Sequence, residues 1–500
     1  MDYRKLKSGS DVRGVAVGEN AVLTPDVVKT LGAAFALWTA QQRGKSVEEI
    51  SIALGRDSRV SGPDLLKAAA EGIISTGATA YDYGMCTTPA MYMAILTEGF
   101  QPDGSVMITA SHHPWVMNGM KFFAQGGGIG FHDLDDILTL AENGCVPAET
   151  AGLIIEKPFL PTYQRHLMDL IIDGVQPDVQ KPLLGLHVVV DAGNGAGGFY
   201  VDSVLKPLGA DTEGSQFLEP DGYFPNHIPN PENPVAMKFI CDKVKAVNAD
   251  LGLIFDTDVD RAGAVDDLGE EINRNKLIAL ISAILLEEKG GAYIVTDSIT
   301  SDGLKEFIEA KGGVHHRFKR GYKNVINEAI RLNAEGKYCP LAIETSGHAA
   351  LKENYFLDDG AYLVTRLLVK MAQLKKQGKK LRDLIADLKL PAESAEVRMG
   401  FKDGVDFKVY GKTVLDELKA YAEKNGWTLA PSNYEGIRIS FPAGEGDGWF
   451  LLRMSLHDPI MPLNIESNAV GGNLVIAKKL HAFLTSYEGL EIKNLTEFIG

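Results

Sequence analysis

The sequence has few cysteines: four among 500 residues, with no Cys-x-x-Cys pair. Such scattered cysteines exclude a disulfide scaffold and a zinc site built on thiolates, and they fit a reducing compartment. The chain also lacks an apolar run that could span a bilayer, since its most apolar segment, Leu277 to Leu286, has about half the required length. The first ten residues lack the apolar stretch of a signal peptide. These absences predict a cytoplasmic protein without a membrane partner.

Basic residues are in deficit, with 50 Lys and Arg against 66 Asp and Glu and a formal net charge of −16. This balance argues against a nucleic-acid partner and implies that any anionic ligand is held by local groups. The hydrophobic fraction of 45% and the charged fraction of 23% are those of ordinary folded proteins. Because a single core rarely serves a chain of this length, several domains are expected.

One pattern occurs three times: a short apolar run, an Asp where the run ends, a small polar loop and then a helical stretch. The three residues are Asp57, Asp191 and Asp297, roughly a domain's length apart. Buried strands with crossover helices follow this pattern, so it predicts three related α/β domains.

The last hundred or so residues have a different pattern. They carry helical periodicity near 414–424 and 473–485 and strand-like pieces at 437–441 and 449–453. This predicts a C-terminal α+β domain rather than a fourth copy. The expected domains are residues 1–158, 159–268, 269–388 and 389–500.

Three aspartates alternate after the apolar run Leu251 to Phe255. In an extended chain, residues two apart face one side, so Asp256, Asp258 and Asp260 are predicted to present their carboxylates together. Three hard oxygen donors suit Mg²⁺, which often completes its shell with phosphate oxygens. A calcium-binding EF-hand loop is not indicated, because its sixth position is Arg261 and not Gly.

A polar loop with a serine, Thr109 to Pro114, follows another apolar run. A serine such as Ser111, on a tight loop at a strand end, can act as a nucleophile or carry a phosphate. Zinc is not expected, because the adjacent His112 and His113 rarely converge on one ion. Downstream, Lys121 follows a flexible turn and could stabilise phosphate charge or transfer protons.

Other segments offer ligands for sugars, phosphates or nucleotides. The loop Glu344 to His348 combines a carboxylate, two hydroxyls and an imidazole, which suit sugar hydroxyls. Cations that could hold phosphate are Arg317, Lys319, Arg320, Lys323, Arg438 and Arg453. The segment Asp191 to Gly198 contains Gly-x-Gly-x-x-Gly, which leaves dinucleotide binding open beside simple close packing.

Together and in this order, these loops resemble those of the α-D-phosphohexomutase superfamily, the phosphoglucomutases and phosphomannomutases. The resemblance covers essentially the whole chain and implies four domains around a central cleft. It implies a mutase that interconverts hexose 1-phosphate and hexose 6-phosphate, of glucose or mannose, through a phosphoserine and a bisphosphorylated sugar. It also implies Mg²⁺ and glucose 1,6-bisphosphate as cofactors, and the protein is expected to be a monomer or a homodimer.

The same resemblance implies roles for individual residues. Ser111 would carry the phosphate and share Mg²⁺ with Asp256, Asp258 and Asp260. Lys121 and His348 match positions implicated in proton transfer, and Arg13 matches an active-site arginine. The residues expected to contact the substrate are Arg261, Lys323, Glu344, Ser346, Arg438, Arg453, Ser455 and His457.

The sequence departs from the family pattern in two loops. His113 stands where the family usually has Asn, and Arg453-Met-Ser-Leu-His457 stands where it commonly has Arg-x-Ser-Gly-Thr. Leu456 lacks the backbone freedom of Gly, so a non-catalytic sugar-phosphate sensor stays open as an alternative. An aspartyl-phosphate phosphatase with Asp256 as nucleophile stays open too, because Asp-Thr-Asp-Val fits its signature.

Overall fold

The computed structural model describes residues 2–176, 178–455 and 458–500, and the chain forms two compact units. The first unit contains Met1–Ile281 and Ser346–Leu384, and the second contains Ser282–Thr345 and Ile385–Gly500. Among the helices in these described ranges, none is both long enough and apolar enough to cross a membrane. The four cysteines are free thiols.

Helices and strands alternate along most of the chain. The helices are α1 Pro25–Arg43, α2 Gly62–Ser75, α3 Thr88–Leu96, α4 Phe131–Asn143, α5 Leu160–Val175, α6 Pro234–Val247, α7 Asn275–Glu288, α8 Asp302–Ala310, α9 Tyr322–Ala334, α10 Gly360–Lys375, α11 Phe407–Lys424, α12 Gly472–Leu484 and α13 Lys493–Ile499. The strands are β1 Lys7–Ser8, β2 Asp11–Val15, β3 Ser51–Arg56, β4 Thr79–Met85, β5 Gly104–Ile108, β6 Met117–Ala124, β7 Gly127–Gly128, β8 Ile154–Glu156, β9 Val188–Asp191, β10 Leu251–Phe255, β11 Ala262–Val265, β12 Glu271–Ile272, β13 Tyr293–Thr296, β14 Val314–Arg317, β15 Leu341–Ile343, β16 Ala349–Leu351, β17 Glu393–Phe401, β18 Thr428–Leu429, β19 Ile437–Phe441, β20 Gly448–Leu452, β21 Ile460–Ser467 and β22 Leu490–Glu491.

A mixed sheet at the start of the first unit carries the serine loop. Its strand order is β1-β2-β6-β5-β3-β4-β8, with β7 paired to β6. Strand β3 is parallel to β4 and β5, whereas β6 is antiparallel to β5 and β2. Parallel neighbours need a crossover connection, and helices α2 and α3 lie in the two connections. This confirms the α/β domain predicted from the apolar run that ends at Asp57.

Helices α1 and α2 pack against each other through two glycines. A Cβ atom at Gly72 would lie 1.9 Å from the backbone oxygen of Lys29, and one at Gly32 would lie 2.6 Å from that of Ala69. Contacts this short do not occur between a Cβ atom and a backbone oxygen, so the close approach of the two helices requires glycine at both positions.

We expect Gly72→Ala to lower the free energy of unfolding by about 1–3 kcal/mol, because the added methyl group forces the two helices apart. Urea denaturation followed by fluorescence measures the change. Lys67→Ala, at an exposed position of the same helix, is the control and should stay within about 0.5 kcal/mol of the wild type. Equal stability of the two variants would contradict the packing described here.

A second sheet of the first unit carries the aspartate loop after β10. Its strand order is β12-β11-β10-β9. The helix predicted after β9 is not a regular α-helix, because residues 196–205 form a 3₁₀ turn and a π-helical segment. Two of the glycines there pack on protein backbone: a Cβ atom would lie 2.7 Å from the oxygen of Thr257 at Gly195 and 2.1 Å from that of Leu218 at Gly198. Close packing, rather than a dinucleotide turn, therefore accounts for the glycine-rich segment.

Asp191, the last residue of β9, forms a buried ion pair with His227. The His227 ring places Nε2 3.0 Å from Asp191 Oδ1 and Nδ1 2.9 Å from the backbone oxygen of Ile228. Both neighbours are acceptors, so both ring nitrogens donate only in the imidazolium form. Burial lowers the pKa of His227, but the hydrogen bond and charge of Asp191 outweigh it, and the net shift is upward.

This shift predicts how stability depends on pH. Because the folded-state pKa of His227 lies above its unfolded value of about 6.5, its contribution is complete below that pH and is lost as pH rises through the folded pKa. The stability advantage of the wild type over His227→Gln should therefore be constant near pH 5.5 and shrink above pH 6.5. Urea unfolding midpoints of the wild type and of His227→Gln, measured at several pH values, test this. A stability difference between the two proteins that grows as pH rises would contradict the ion pair.

The second unit contains a parallel sheet and an antiparallel sheet. In the parallel sheet, β13 pairs with β14 and with β15. The antiparallel sheet has the order β18-β19-β20-β21-β17-β22 and shares a core with α11 and α12, which confirms the predicted α+β domain. Helix α11 begins earlier than predicted, at Phe407, because the Asp406 carboxylate caps it by accepting the N–H groups of Lys408 and Val409. The expected domain boundaries after residues 158, 268 and 388 stay predictions, as does the central cleft.

Candidate active site

The serine loop after β5 is held by a buried arginine. Arg59 donates hydrogen bonds to the backbone oxygens of His113, at 2.7 Å, and of Ser111. Its ion-pair partner is the Asp57 carboxylate, which also accepts the Thr109 hydroxyl at 2.6 Å. Burial raises the pKa of Asp57 to about 6. These bonds hold Ser111 in a left-handed backbone conformation, with φ of 52°, that residues other than glycine seldom adopt.

The aspartate loop after β10 is a turn, and the extended shape predicted for it was wrong. Along an extended strand, carboxylates two residues apart would be spaced by about 7 Å. The turn instead brings oxygens of Asp256, Asp258 and Asp260 within 4.8 Å of one another. It requires Val259 to adopt φ of 68°, a strained conformation for a branched residue.

The two loops meet inside the first unit. The Ser111 hydroxyl donates to Asp256 Oδ2 at 3.1 Å, and both side chains are buried. His112 Nδ1 lies 3.3 Å from the same hydroxyl oxygen, and burial lowers the pKa of His112 to about 2, so its ring is neutral near pH 7. A serine placed beside clustered carboxylates can exchange a phosphoryl group next to a metal ion.

Lys121, on β6, bridges two of the aspartates. Its Nζ donates to Asp258 Oδ2 at 2.7 Å and to Asp260 Oδ2 at 2.5 Å. The other oxygen of each carboxylate, Oδ1, is buried and has no hydrogen-bond partner among the residues that the structure describes. A buried carboxylate oxygen without a partner is costly, so these two atoms point to a bound ligand.

The carboxylate cluster has the composition of a magnesium site. Burial and the charges of Asp260 and Asp258 raise the pKa of Asp256 well above its ordinary value, which reflects the repulsion within the cluster. The Lys121 ammonium and the nearby Arg261 guanidinium offset only part of the charge of three ionised carboxylates, and a divalent cation would offset the rest. Closely spaced hard oxygens are the ligands that Mg²⁺ prefers, so the residues present fit this ion.

His348 lies beside the aspartate loop, where its backbone pairs with that of Arg261. Its Nδ1 is 2.6 Å from Asp358 Oδ2. Burial lowers the pKa of His348, but the charge of Asp358 outweighs it and the net shift is upward. Asp358 was not predicted from the sequence, because no motif marks it and only folding brings it to the histidine.

Three other predicted residues belong to the first unit. Arg13, on β2, is paired with Asp11 at 3.2 Å and is close enough to His112 and His113 to lower their pKa values. Arg261 lies 4.0 Å from Asp260 and 3.7 Å from Glu232. Within the described part of the chain, the buried Ser346 hydroxyl has no hydrogen-bond partner.

The second unit holds the rest of the predicted sugar loop. The Glu344 carboxylate accepts the Gly321 N–H at 2.6 Å, which ties it to the segment that contains Lys323. Asp297 accepts the hydroxyl of Thr345 at 2.7 Å, and burial raises the pKa of Asp297 to about 7.

Arg438, expected to contact the substrate, makes several contacts with protein groups of the second unit. Its guanidinium donates to the backbone oxygens of Ser298 and Thr300, at 3.1 and 3.0 Å, and to Asp302 at 2.9 Å. It also stacks over Trp449, 3.5 Å from the ring centroid. These contacts join β19 to the loop after β13, and the expected contact of Arg438 with the substrate stays a prediction.

The C-terminal loop predicted to bind phosphate lies partly within the described residues. Arg453 lies 3.3 Å from the Glu435 carboxylate, and the Ser455 hydroxyl accepts the Asp458 N–H at 3.2 Å. His457, expected to contact the substrate, and its neighbour Leu456 lie outside the described residues.

The α/β domains and the serine beside a carboxylate cluster are those of a metal-dependent phosphoryl-transfer enzyme. Three family models match, for "Phosphoglucomutase/phosphomannomutase, alpha/beta/alpha" domains I, II and III, at residues 4–144, 162–269 and 273–390. A phosphoglucomutase of Neisseria gonorrhoeae is 30% identical over 485 residues, which cover 97% of each chain. A phosphomannomutase/phosphoglucomutase of Pseudomonas aeruginosa is 31% identical over 464 residues, 92% of this chain and 90% of that one.

A solved structure supports the same assignment. The phosphoglucomutase/phosphomannomutase family protein of Burkholderia thailandensis has a TM-score of 0.80 and 27% identity, with 97% of this chain and 98% of that chain covered. The chain therefore belongs to the phosphoglucomutase/phosphomannomutase family. As a member it is an enzyme, a phosphohexose mutase, and membership favours this function over the phosphatase and the sensor.

The carboxylate cluster predicts that magnesium stabilises the fold. Millimolar Mg²⁺ should raise the melting temperature of the wild type by a few degrees, and a chelator should reverse the rise, because the cation binds only the folded state. Asp258→Asn should lose this response, whereas Asp242→Asn, at an exposed position of α6, should keep it. An unchanged magnesium response in Asp258→Asn would contradict the site.

Proposed function

We propose that this chain interconverts hexose 1-phosphate and hexose 6-phosphate, with glucose or mannose as the sugar, through a phosphate on Ser111. The observation that carries the proposal is the 3.1 Å contact of the Ser111 hydroxyl with Asp256 inside a buried carboxylate cluster. The names of the relatives from N. gonorrhoeae and P. aeruginosa support the choice of sugars.

In the proposed reaction, a sugar hydroxyl attacks the phosphorus on Ser111. The bond between phosphorus and Ser111 Oγ breaks, the sugar becomes a bisphosphate, and the hydroxyl proton passes to a base. The bisphosphate then turns over and returns its other phosphoryl group to Ser111. A catalytic amount of glucose 1,6-bisphosphate would phosphorylate Ser111 in an enzyme that has lost its phosphate.

Asp256, Asp258 and Asp260 would hold Mg²⁺ together with a phosphate oxygen on Ser111. When bound, the ion neutralises charge on the transferring phosphoryl group. The Arg59 side chain holds the backbone of the serine loop, so that alignment of the Ser111 oxygen needs little reorganisation.

We assign proton transfer to His348 or Lys121. Asp358 lies beside His348 Nδ1, so it orients the ring and leaves Nε2 as the nitrogen that exchanges a proton with the sugar. The Lys121 ammonium is hydrogen-bonded to the carboxylates and would neutralise charge as the phosphoryl group moves. Arg13 and Arg261 would provide further positive charge near the serine loop and the aspartate loop.

Substrate recognition would fall to the remaining polar residues. Glu344 and Ser346 would bind sugar hydroxyls, and the phosphate that is not reacting would be bound by Lys323, Arg438, Arg453, Ser455 and His457. The expected monomer or homodimer, the cytoplasmic location and the lack of nucleic-acid and membrane partners stay predictions.

The test is Ser111→Ala in a coupled mutase assay with Mg²⁺ and glucose 1,6-bisphosphate. Loss of the acceptor oxygen should lower kcat by at least about 1,000-fold with an unchanged fold. Ser75→Ala, at the end of α2, is the matched control and should retain full activity. Peptide mass spectrometry of the wild type should locate an acid-stable phosphate on Ser111.

Three results would contradict the proposal. Activity of Ser111→Ala within about tenfold of the wild type would remove the serine from the reaction. Hydrolysis of the sugar phosphate without isomerisation would favour the phosphatase, and binding without turnover would favour the sensor.

A further inference from the structure

Thr88, at the start of α3, contacts the aspartate loop with both its backbone and its side chain. Its N–H donates to the backbone oxygen of Asp258 at 2.9 Å, and its hydroxyl donates to Asp258 Oδ2 at 2.5 Å. Thr88 is buried. Two bonds from one residue fix both the main chain and the carboxylate of Asp258.

The helix does not need the Thr88 hydroxyl for its own capping. Thr87 is the N-cap residue of α3, and its side chain accepts the Ala90 N–H at 3.3 Å. The Thr88 hydroxyl is therefore available to act outside the helix, and it points to Asp258.

The aspartate loop depends on such outside contacts. Val259 has φ of 68°, a strained conformation for a branched residue that persists only where the surroundings enforce it. Thr88 anchors the residue before Val259, and the Gly360 N–H anchors Val259 itself by donating to its backbone oxygen at 3.1 Å. The two hydrogen bonds hold the backbone oxygens of Asp258 and Val259, at the strained position and just before it.

The hydrogen bonds also determine which oxygen of the Asp258 carboxylate is available to bind a ligand. Asp258 Oδ2 accepts two donors, from Thr88 and from Lys121. Asp258 Oδ1 is buried and has no hydrogen-bond partner within the described residues. Without the Thr88 hydroxyl, the carboxylate can rotate and share both oxygens between Lys121 and other donors, and Oδ1 is no longer held for a ligand.

We propose that Thr88 is a positioning residue of the metal site, and that its hydroxyl holds Asp258 in the orientation that binds the divalent cation. The proposal rests on the magnesium site of the proposed function. It extends that site to a residue on another domain's helix that is not itself a ligand. Hydrogen-bond partners of metal ligands typically contribute 10- to 100-fold to affinity.

The experiment measures Mn²⁺ binding to the full-length protein without substrate, by electron paramagnetic resonance and calorimetry. Thr88→Val keeps the shape but removes the donor, and we expect its Kd for Mn²⁺ to rise 10- to 100-fold. Thr88→Ser keeps the hydroxyl and should bind Mn²⁺ within about threefold of the wild type. Thr365→Val removes a buried hydroxyl on α10 that bonds to Ala361 and Tyr200 and not to an aspartate of the loop, so the affinity of this variant for Mn²⁺ should be unchanged.

Kinetics provide a second readout that a purely structural role would not produce. The Mg²⁺ concentration for half-maximal activity should rise in Thr88→Val, while kcat at saturating Mg²⁺ stays within a few fold of the wild type. Circular dichroism checks folding, and Thr88→Ala replaces Thr88→Val if the latter does not fold.

The outcomes separate the two proposals. Wild-type protein that does not bind Mn²⁺ would overturn the metal site and this inference with it. Wild-type binding with equal affinity in the hydroxyl-free variant would overturn the role of Thr88 alone. Equal losses in Thr88→Ser and Thr88→Val would also overturn it, because packing and not the hydroxyl would then be responsible.

Discussion

Repulsion among three buried carboxylates is the constraint on which the site depends. At about 4 Å and an effective dielectric constant near 20, each pair of like charges costs roughly 4 kcal/mol. The Lys121 ammonium offsets part of this cost by bonding to Asp258 and Asp260, and the remaining charge requires a divalent cation or protonation. Burial is the main cause of the upward shift of the pKa of Asp256, and the charges of Asp260 and Asp258 add to it.

Strained backbone carries the reacting groups, and buried polar contacts hold it in place. Ser111 and Val259 both have left-handed φ values, of 52° and 68°. Arg59 holds the carbonyls of the serine loop, and Thr88 holds the residue before Val259. The strained position of each loop is not a glycine. Contacts with neighbouring elements therefore hold the backbone of each loop in its strained conformation.

Two of the three repeated aspartates have a common structural purpose. Asp57 accepts the Thr109 hydroxyl at 2.6 Å, and Asp297 accepts the Thr345 hydroxyl at 2.7 Å. Each threonine lies just before a serine of a predicted functional loop, so an aspartate at one strand end fixes the loop that follows a neighbouring strand. Asp191 instead pairs with His227. At Asp57 and Asp297, the repeat seen in the sequence thus marks residues that anchor a loop.

The sequence by itself determined the fold class, the C-terminal α+β domain and the identity of the loops, because buried strands and the polar residues at their ends are local patterns. Tertiary structure decided which side chains meet. It formed the alternating aspartates into a turn, brought Asp358 to His348, and brought Arg438 to Asp302. Such contacts join residues far apart in the chain, and the periodicity of the sequence carries no information about them. Each of these polar groups is buried on folding and must then form a hydrogen bond or ion pair with a group that the fold places beside it.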